Sequence, residues 1–457
     1  MSLNDYFTNA LVRTAYSLHA RRDPVNHLEL LDKLDRSQYY DRDTLKQIQV
    51  TKLRKLLKTA FESSPFWKKR FMRAGFKSTD FDRIESPEDI EPLSKKDVLE
   101  NRDRIVNQDY PPDDLIENRT GGTTGSALYF YIDPYREAMI KAATLRHDLW
   151  TGFRQGDLLA ILWGAPDDID RRKPVKTRMR ELFWGKNIFL DSNRLTDDII
   201  AGFIDRWRAE KPQVFLGYSG ALGFLARYLE GNGVKLPSPK TVIASAEMLT
   251  EADREVIERV FRAPVFERYG CREMAVIASE CEYHDGLHIN VENLYLEYDP
   301  LETLPDGRVR ARLMITDLEN LVFPFIRYQI GDIVIINPDQ KRCRCGRNLP
   351  TISEVGGRVS DYIKLPGGRF VSGTGLTVSI MSKYKQIRKT QIVQKSIDHV
   401  IIRIVKNEDF DENTLKKLNV QFARAIGDDV RLEFEFPDDI PREKSGKYRL
   451  TISEVMD

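Results

Sequence analysis

The chain has 457 residues, with 71 lysines and arginines against 70 aspartates and glutamates, so its formal net charge is +1. Because the charges balance, no overall field favours nucleic acid or an anionic membrane surface, and we expect no nucleic-acid partner. The length favours two or three domains, and four cysteines give no disulfide framework in a chain of this size. The sequence contains no run of about 18 apolar residues, which predicts a cytoplasmic protein without a membrane span.

The first elements in chain order are predicted helices. Residues 42–75 place apolar side chains three and four positions apart, which is typical of helical structure. From about residue 127, short apolar strands alternate with helices. The strands are predicted at 129–132, 158–164, 214–220, 241–247 and 263–270, and the helices at 137–150, 197–209 and 251–262. This alternation predicts a mostly parallel sheet with helices on both faces, whose ligands bind beyond the carboxyl ends of the strands.

The pattern changes twice more along the chain. From about residue 290, longer alternating segments predict an antiparallel extension. After residue 361, a hairpin, a strand around 387–405, a helix at 412–425 and a last strand predict a separate α+β unit. We therefore predict an α/β fold: a large N-terminal domain (residues 1–361) of layered, mostly parallel sheets and helices with an antiparallel extension, and a small α+β C-terminal domain (residues 362–457).

The stretch 119-RTGGTTGSA-127 combines glycines and threonines in a way that suits a phosphate. Glycines let backbone N–H groups converge on one point, and threonines add hydroxyl donors. No lysine follows the last glycine, so this is not a Walker loop. Taken alone, such a turn is more often a plain loop than a nucleotide site. The candidate phosphate-binding residues are Thr120, Gly121, Gly122, Thr123, Thr124 and Gly125.

Four further motifs follow this loop: ERYGCRE (267–273), FPFIRYQIGD (323–332), GGRVSDYI (356–363) and PREKSGKYR (441–449). In this order and spacing the five segments resemble the adenylate-forming superfamily, and most closely its phenylacetate-CoA ligase-like branch. The resemblance extends over nearly the whole chain from about residue 45. It implies that the N-terminal domain binds ATP and a carboxylic acid, and that the C-terminal domain is a mobile lid that rotates on a hinge at Asp361.

The resemblance also implies roles for the residues that match its nucleotide motifs. Tyr269, followed by Gly270, is expected to stack on adenine, and Glu273 to ligate the Mg²⁺ that bridges the ATP phosphates, since Mg²⁺ prefers oxygen ligands. Asp332 is expected to accept hydrogen bonds from the ribose hydroxyls. Glu247 in SAEML resembles a segment that lines the adenine edge, although Ala246 departs from the usual glycine.

The remaining matches concern the phosphates. Arg358 and Arg327 are expected near phosphate, and Lys447 between the carboxylate oxygen and the α-phosphate, where a cation stabilises the transition state. The segment from Thr120 to Gly125 resembles the clamp for the β- and γ-phosphates. Two departures weaken this match: Gly121 replaces the usual serine, and Ser126-Ala127 replaces the usual Pro-Lys.

The cysteines and a nearby histidine form two close pairs. Cys281 with His284, and Cys343 with Cys345, offer four ligands in turn-like, polar contexts, which is typical of a structural zinc site. Two alternatives stay open, namely free thiols and a different ligand set. His288 is an alternate ligand, and Cys271 is a further candidate inside the adenine motif.

The sequence thus predicts an ATP-dependent carboxylate ligase. The acid would form an acyl-adenylate with release of pyrophosphate, and the acyl group would then pass to a second nucleophile, by resemblance coenzyme A. The alternatives are transfer to an amine or a sugar, and a catalytically silent nucleotide-binding protein. Trp163 and Tyr218, at two strand ends, are candidate walls of the acyl pocket. The expected cofactors are ATP, Mg²⁺ and Zn²⁺; the oligomeric state is open, with a homodimer as one option.

Overall fold

The structure is a computed structural model that describes residues 8, 10–120, 127–164, 187–192, 194–373, 376–377, 380, 383–441 and 450–455. Its helices are α1 (Ala10–Ala20), α2 (His27–Ser37), α3 (Arg42–Ser63), α4 (Pro65–Arg73), α5 (Lys95–Ile105), α6 (Pro134–Trp150), α7 (Asp197–Glu210), α8 (Ser219–Gly231), α9 (Glu251–Phe261) and α10 (Glu412–Ile426). None of the helices in these ranges combines the length and apolarity that crossing a bilayer requires.

Within the described residues, the strands form one large sheet and four smaller ones. They are β1 (Ile116–Arg119), β2 (Tyr129–Ile132), β3 (Leu159–Trp163), β4 (Ile188–Asp191), β5 (Val214–Tyr218), β6 (Thr241–Ser245), β7 (Val265–Cys271), β8 (Ala275–Glu280), β9 (Leu287–Ile289), β10 (Leu294–Thr303), β11 (Val309–Asp317), β12 (Tyr328–Ile336), β13 (Thr351–Ile352), β14 (Glu354–Arg358), β15 (Tyr362–Lys364), β16 (Phe370–Ser372), β17 (Ile387–Ser396), β18 (His399–Lys406), β19 (Arg431–Glu435) and β20 (Thr451–Ser453).

The predicted helical stretch 42–75 forms two helices, α3 and α4. The chain leaves the helical conformation at Ser64, whose hydroxyl accepts a hydrogen bond from the Trp67 amide at the start of α4. Pro65 then occupies the first turn of α4, where its missing N–H has no cost, and it disfavours a helical conformation for the residue before it. The helical prediction therefore holds for most of this stretch, with a break at the Ser-Pro step.

The large sheet is the parallel core that the alternating pattern predicts. Its order is β13-β9-β8-β7-β6-β5-β3-β4, and the strands from β7 to β4 run parallel, whereas β8, β9 and β13 add antiparallel neighbours. Helices α7, α8 and α9 pack on one face around a cluster that includes Phe215 and Trp207. Helices α2 and α6 pack on the other face around Val214 and Ile243. Covering both faces explains why β6 is buried at every position.

A second sheet supplies the predicted antiparallel extension. Its order is β10-β11-β12-β14, with all neighbours antiparallel. The hairpin β1–β2 and helices α3 to α5 surround the core shared by this sheet and the end of the large sheet, which contains Phe130, Phe325 and Tyr328. The α/β prediction with an antiparallel extension is confirmed, and β12 comes to lie near the carboxyl end of β7.

The last part of the chain has its own core. The hairpin β15–β16 follows residue 361, and a sheet of order β19-β18-β17-β20 packs against α10 around Ile402, Leu418 and Phe422. The α+β composition of this part is confirmed. The exact division at 361/362 and the rotation of the second unit stay predictions.

Candidate active site

The strand ends of the parallel sheet carry the residues expected at the acyl pocket and the adenine edge. At the ends of β3 and β5, the rings of Trp163 and Tyr218 lie 4.2 Å apart between centroids. After β6, the Glu247 carboxylate accepts a hydrogen bond of 3.0 Å from the backbone N–H of Gly220, in the first turn of α8. An acidic group is favourable there because backbone N–H groups at a helix N-terminus lack partners within the helix.

Tyr269 and Arg358, from two sequence-distant motifs, both contact Asp332. The hydroxyl of Tyr269 donates a hydrogen bond of 2.7 Å to Asp332 Oδ2. The Nε atom of Arg358 lies 3.3 Å from Asp332 Oδ1, because Asp332 on β12 and Arg358 on β14 are direct cross-strand partners. Burial, followed by the charge of Asp332, raises the pKa of Tyr269 well above its usual value, so the hydroxyl remains a donor across the physiological range. The structure thus brings together the predicted ribose carboxylate, the adenine-motif tyrosine and the phosphate-motif arginine.

The tight bend after β7 positions the candidate Mg²⁺ ligand. At Gly270, a Cβ atom would lie 2.2 Å from the carbonyl oxygen of Ala275, so any other residue would force the two strands apart. The chain then turns through Glu273, whose Oε1 accepts a hydrogen bond of 3.3 Å from the Tyr328 hydroxyl on β12. Glu273 is partly exposed and offers the hard oxygen donor that Mg²⁺ requires.

Arg327 does not join this group in the structure, and its predicted position near phosphate stays a prediction. Its Nε atom bonds to both carboxylate oxygens of Glu297, at 2.9 and 3.2 Å, and its Nη1 atom bonds to the carbonyl oxygens of Glu88 and Ile90. The backbone at Arg327 has a φ of +49°, and this turn into β12 accompanies the packing of the side chain against the segment before α5. These contacts connect the start of β12 to β10 and to the segment before α5.

The phosphate loop and the C-terminal lysine are described only at their edges. Residues Gly121, Gly122, Thr123, Thr124 and Gly125 lie outside the described residues, as does Lys447. The base of the loop is closed by two hydrogen bonds. The Thr120 N–H donates to the Leu128 carbonyl at 2.9 Å, and the Leu128 N–H donates to the Thr120 hydroxyl at 3.0 Å. The loop therefore begins and ends at the same point of the β1–β2 hairpin.

The predicted cluster of cysteine and histidine ligands is also present, with a different histidine from the one predicted. Cys281, His288, Cys343 and Cys345 bring one ligand atom each within 4.8 Å of one another. His284 lies outside this cluster, so its predicted role as the histidine ligand is corrected in favour of His288.

The physical reason is the direction in which the two histidine side chains point. His284 sits in a turn with a φ of +52°, its Nδ1 atom lies 3.1 Å from Glu280 Oε2, and its ring packs on Phe266 at 4.6 Å. His288 lies on β9, and its Nε2 atom is 3.3 Å from Cys345 Sγ. The pairing of β9 with β8 and β13 thus decides which imidazole faces the cysteines.

The cluster geometry fits a tetrahedral metal site. Zinc–sulfur bonds of about 2.3 Å in a tetrahedron place two thiolates about 3.8 Å apart, and Cys281 Sγ and Cys343 Sγ are 3.6 Å apart. His288 Nδ1 lies 3.1 Å from the Leu349 carbonyl oxygen. Because a carbonyl can only accept, Nδ1 carries the proton and Nε2 presents its lone pair to the cysteines. A hydrogen bond from Cys281, with support from His288, lowers the pKa of the Cys345 thiol, which favours the thiolate form that binds metals.

Comparisons with known proteins identify chains of similar sequence and similar fold. A family model described as the CapK C-terminal domain matches residues 365–454. Protein CapK of Staphylococcus aureus is 25% identical over 380 residues, which cover 79% of each chain. Phenylacetate-coenzyme A ligase of Escherichia coli (strain K12) is 25% identical over 359 residues, which cover 73% of this chain and 76% of that one. Among solved structures, a 2-hydroxyisobutyryl-CoA ligase in the postadenylation state, in complex with R3-HIB-AMP, superposes with a TM-score of 0.70 at 18% identity, over 92% of each chain.

The chain is thus similar in sequence to protein CapK and to phenylacetate-coenzyme A ligase, and it shares the fold of a 2-hydroxyisobutyryl-CoA ligase.

The segment predicted to line the adenine edge has an unusual backbone feature. Ala246, where the superfamily usually has glycine, has a φ of +65°, in the left-handed region that favours glycine. Ala246 therefore adopts this conformation with some strain.

Tyr328 is the site residue that the adenylate-forming motifs did not reveal. It lies inside FIRYQIGD, where a strand tyrosine is expected to be core, and it is in fact only 2% exposed. One sequence signal was available: Tyr328 stands four residues before Asp332, as Tyr269 stands four residues before Glu273.

The buried side chain of Glu267 gives the stability of this protein a testable pH dependence. Burial, and then the charge of Glu280, raises the pKa of Glu267 from 4.5 to about 8. The folded state therefore holds a proton that the unfolded state releases above about pH 4.5, so this contribution to stability falls as the pH rises from about 4.5 to about 8. We expect Glu267→Gln to leave the free energy of unfolding nearly unchanged at pH 5 and to raise it by about 1–3 kcal/mol at pH 8.5.

Denaturant unfolding at the two pH values measures this effect. Glu255→Gln, which changes an exposed carboxylate on α9, is the matched control and should show no such difference. An equal effect of Glu267→Gln at both pH values would contradict the assignment of the proton to this side chain.

Proposed function

We propose that this protein is an ATP-dependent carboxylate ligase that makes an acyl-adenylate and then an acyl thioester of coenzyme A. The main observation behind this proposal is that four residues from three of the nucleotide motifs lie together where the two sheets meet. They are Tyr269, Glu273, Asp332 and Arg358. The named activities of Escherichia coli phenylacetate-coenzyme A ligase and of the 2-hydroxyisobutyryl-CoA ligase support the same chemistry.

In the first half-reaction, one oxygen of the substrate carboxylate attacks the α-phosphorus of ATP. The bond between the α-phosphorus and the bridging oxygen breaks, and pyrophosphate leaves with the electron pair. Asp332 accepts hydrogen bonds from the ribose hydroxyls, and Arg358 places positive charge beside the nucleotide. Glu273 is the residue that would hold Mg²⁺, which neutralises charge on the phosphates when it is bound.

In the second half-reaction, the thiolate sulfur of coenzyme A attacks the acyl carbon, and AMP leaves with the oxygen that joined it to the acyl group. The thiol proton is released to solvent. Lys447 is proposed to act in the first half-reaction only, by contacting the carboxylate and α-phosphate oxygens. The loop from Thr120 to Gly125 is proposed to hold the β- and γ-phosphates. Trp163 and Tyr218 are proposed to line the acyl pocket, which favours an aryl or arylalkyl acid.

We further propose that Cys281, His288, Cys343 and Cys345 hold a structural zinc ion. Four protein ligands leave no open position for substrate, so the ion would act on folding and not on the reaction. The cluster joins the segment before β9 to the segment before β13. It is also tied to α2, because Arg347 donates from Nε to Gln38 Oε1 at 3.0 Å.

The function is tested by measuring pyrophosphate release from ATP over a panel of aryl, arylalkyl and aliphatic carboxylic acids. Each acid is assayed alone, with coenzyme A, with amines and with amino sugars. We expect at least one acid to stimulate release, with consumption of coenzyme A in the second arm. Release with consumption of an amine or sugar instead would reassign the acceptor. If none of the acids in the panel stimulates pyrophosphate release, a catalytically silent nucleotide-binding protein is favoured.

A further inference from the structure

The two nucleotide motifs are connected by a pair of crossed hydrogen bonds. Each motif contains a tyrosine followed four residues later by a carboxylate: Tyr269 and Glu273 in the first, Tyr328 and Asp332 in the second. Each tyrosine donates to the carboxylate of the other motif. Tyr269 on β7 bonds to Asp332 on β12 at 2.7 Å, and Tyr328 on β12 bonds to Glu273 after β7 at 3.3 Å.

These bonds join two different sheets. β7 belongs to the large sheet and β12 to the antiparallel sheet, and the two strands are not neighbours in either. The relative position of the two carboxylates is therefore not fixed by a backbone ladder between their strands. The crossed tyrosines, Tyr269 and Tyr328, supply side-chain contacts that do fix it.

The rings of the crossed tyrosines are held firmly. Tyr269 is 8% exposed and Tyr328 is 2% exposed, and both belong to the core around the β1–β2 hairpin. The Tyr328 ring packs on Phe325 at 5.1 Å, and Phe325 packs in turn on Phe130 of β2 at 5.5 Å. A buried tyrosine hydroxyl on a fixed ring has few directions available, so its hydrogen bond constrains the acceptor.

The carboxylates keep capacity for a ligand. A carboxylate has about four acceptor positions on its two oxygens, so one hydroxyl donor orients the group and leaves other positions free to accept. Asp332 is nearly buried at 7% exposure, whereas Glu273 is more open. In each carboxylate, the tyrosine donor therefore sets the direction of the remaining acceptor positions. Those of Asp332 would accept from hydroxyl groups, and those of Glu273 would bind a cation.

We propose that Tyr269 and Tyr328 are positioning residues that hold the ribose carboxylate and the Mg²⁺ carboxylate in register across the two sheets. This inference rests on the proposed function and adds a role for two hydroxyl groups. Tyr269 acts through Asp332, so its hydroxyl governs recognition of the ribose. Tyr328 acts through Glu273, so its hydroxyl governs the response to Mg²⁺.

The two halves of the proposal have different readouts. For Tyr269→Phe, the ratio of kcat/KM for ATP to that for 2′-deoxy-ATP is measured with an acid that supports pyrophosphate release. We expect this ratio to be about tenfold lower in the variant than in the wild type, because a less firmly oriented Asp332 makes a weaker hydrogen bond with the ribose hydroxyl. For Tyr328→Phe, we expect that ratio to stay unchanged, while the Mg²⁺ concentration for half-maximal rate rises about three- to tenfold.

The matched control is Tyr298→Phe. Tyr298 on β10 is a partly buried tyrosine that packs against the same core, and its pKa is raised by burial. Its hydroxyl should be dispensable for both readouts. Loss of rate in Tyr269→Phe or Tyr328→Phe with an unchanged nucleotide preference and Mg²⁺ response would show only a structural role and would overturn the inference.

Calorimetric titration of each variant with ATP and 2′-deoxy-ATP separates this inference from the proposed function. If the wild type binds ATP with a preference over 2′-deoxy-ATP that Tyr269→Phe retains, the inference is wrong and the proposed function stands. If the wild type binds neither nucleotide, the proposed function and the inference are both wrong.

Discussion

Changing Asp332 to asparagine is expected to lower kcat/KM for ATP about 100-fold, because hydrogen bonds to a charged group contribute about 1.5–3 kcal/mol each and the amide lacks the charge. The asparagine also loses the ion pair with Arg358, and its amide can direct a donor at the Tyr269 hydroxyl, which donates to Asp332 in the native site. The measurement is acid-dependent pyrophosphate release at varied ATP concentration. We expect the effect to be specific to the nucleotide, with the KM for the acid changing little.

The control for this prediction lies in the same sheet. Asp299 on β10 is exposed and lies 3.7 Å from Arg312, so Asp299→Asn removes a surface carboxylate of the antiparallel sheet. Such exposed pairs contribute little, and the control should retain wild-type kinetics. A role for Asp332 in binding ribose would be contradicted if kcat/KM for ATP fell equally in the two variants. It would also be contradicted if the fall in Asp332→Asn were explained by a lower unfolding temperature of that variant.

The second large effect concerns the cysteine cluster. His288→Ala and Cys281→Ser are expected to abolish near-stoichiometric zinc in the purified protein. They are also expected to lower the unfolding temperature by on the order of 5–10 °C, because the loss of one ligand leaves buried groups without their partner. Metal analysis and thermal unfolding measure the two effects. Added chelator should lower the wild-type unfolding temperature in the same direction.

Two matched controls distinguish the ligand sets. His284→Ala changes the histidine that the C-x-x-H spacing suggests, and Cys271→Ser changes the cysteine of the nucleotide motif; both should retain the metal. Loss of zinc in His284→Ala with retention in His288→Ala would show that the spacing and not the strand pairing selects the ligand. Full zinc content in Cys281→Ser would contradict the metal site altogether.

The elements of the fold that depend on local pattern were predictable. The strand at 129–132 is β2 residue for residue, and the helix predicted at 251–262 is α9, Glu251–Phe261. The helix α8, Ser219–Gly231, was missed because it begins directly after β5, in the segment YSG that is typical of a turn. The strand predicted around 387–405 is the hairpin β17–β18, whose short turn contains Asp398 and no glycine or proline to mark it.

The proximity of candidate residues could be predicted from their motifs, whereas contacts with sequence-distant partners could not. Asp332, Glu273 and Arg358 were placed by their motifs, and the structure brings them together. The donors of Arg327 are occupied by Glu297 and by backbone carbonyls more than 200 residues earlier, which no local pattern reveals. The choice of His288 over His284 depends on strand register in the same way.

The central claim is that the acid is activated as an acyl-adenylate, and transfer of an oxygen isotope tests it most directly. An acid that stimulates pyrophosphate release is labelled with oxygen-18 in its carboxylate and converted to product in the presence of ATP and coenzyme A. The account predicts that one labelled oxygen appears in AMP, because the attacking carboxylate oxygen stays on the α-phosphorus when the acyl group departs. Label in inorganic phosphate, with ADP as the nucleotide product, would show activation through an acyl phosphate and would contradict the account.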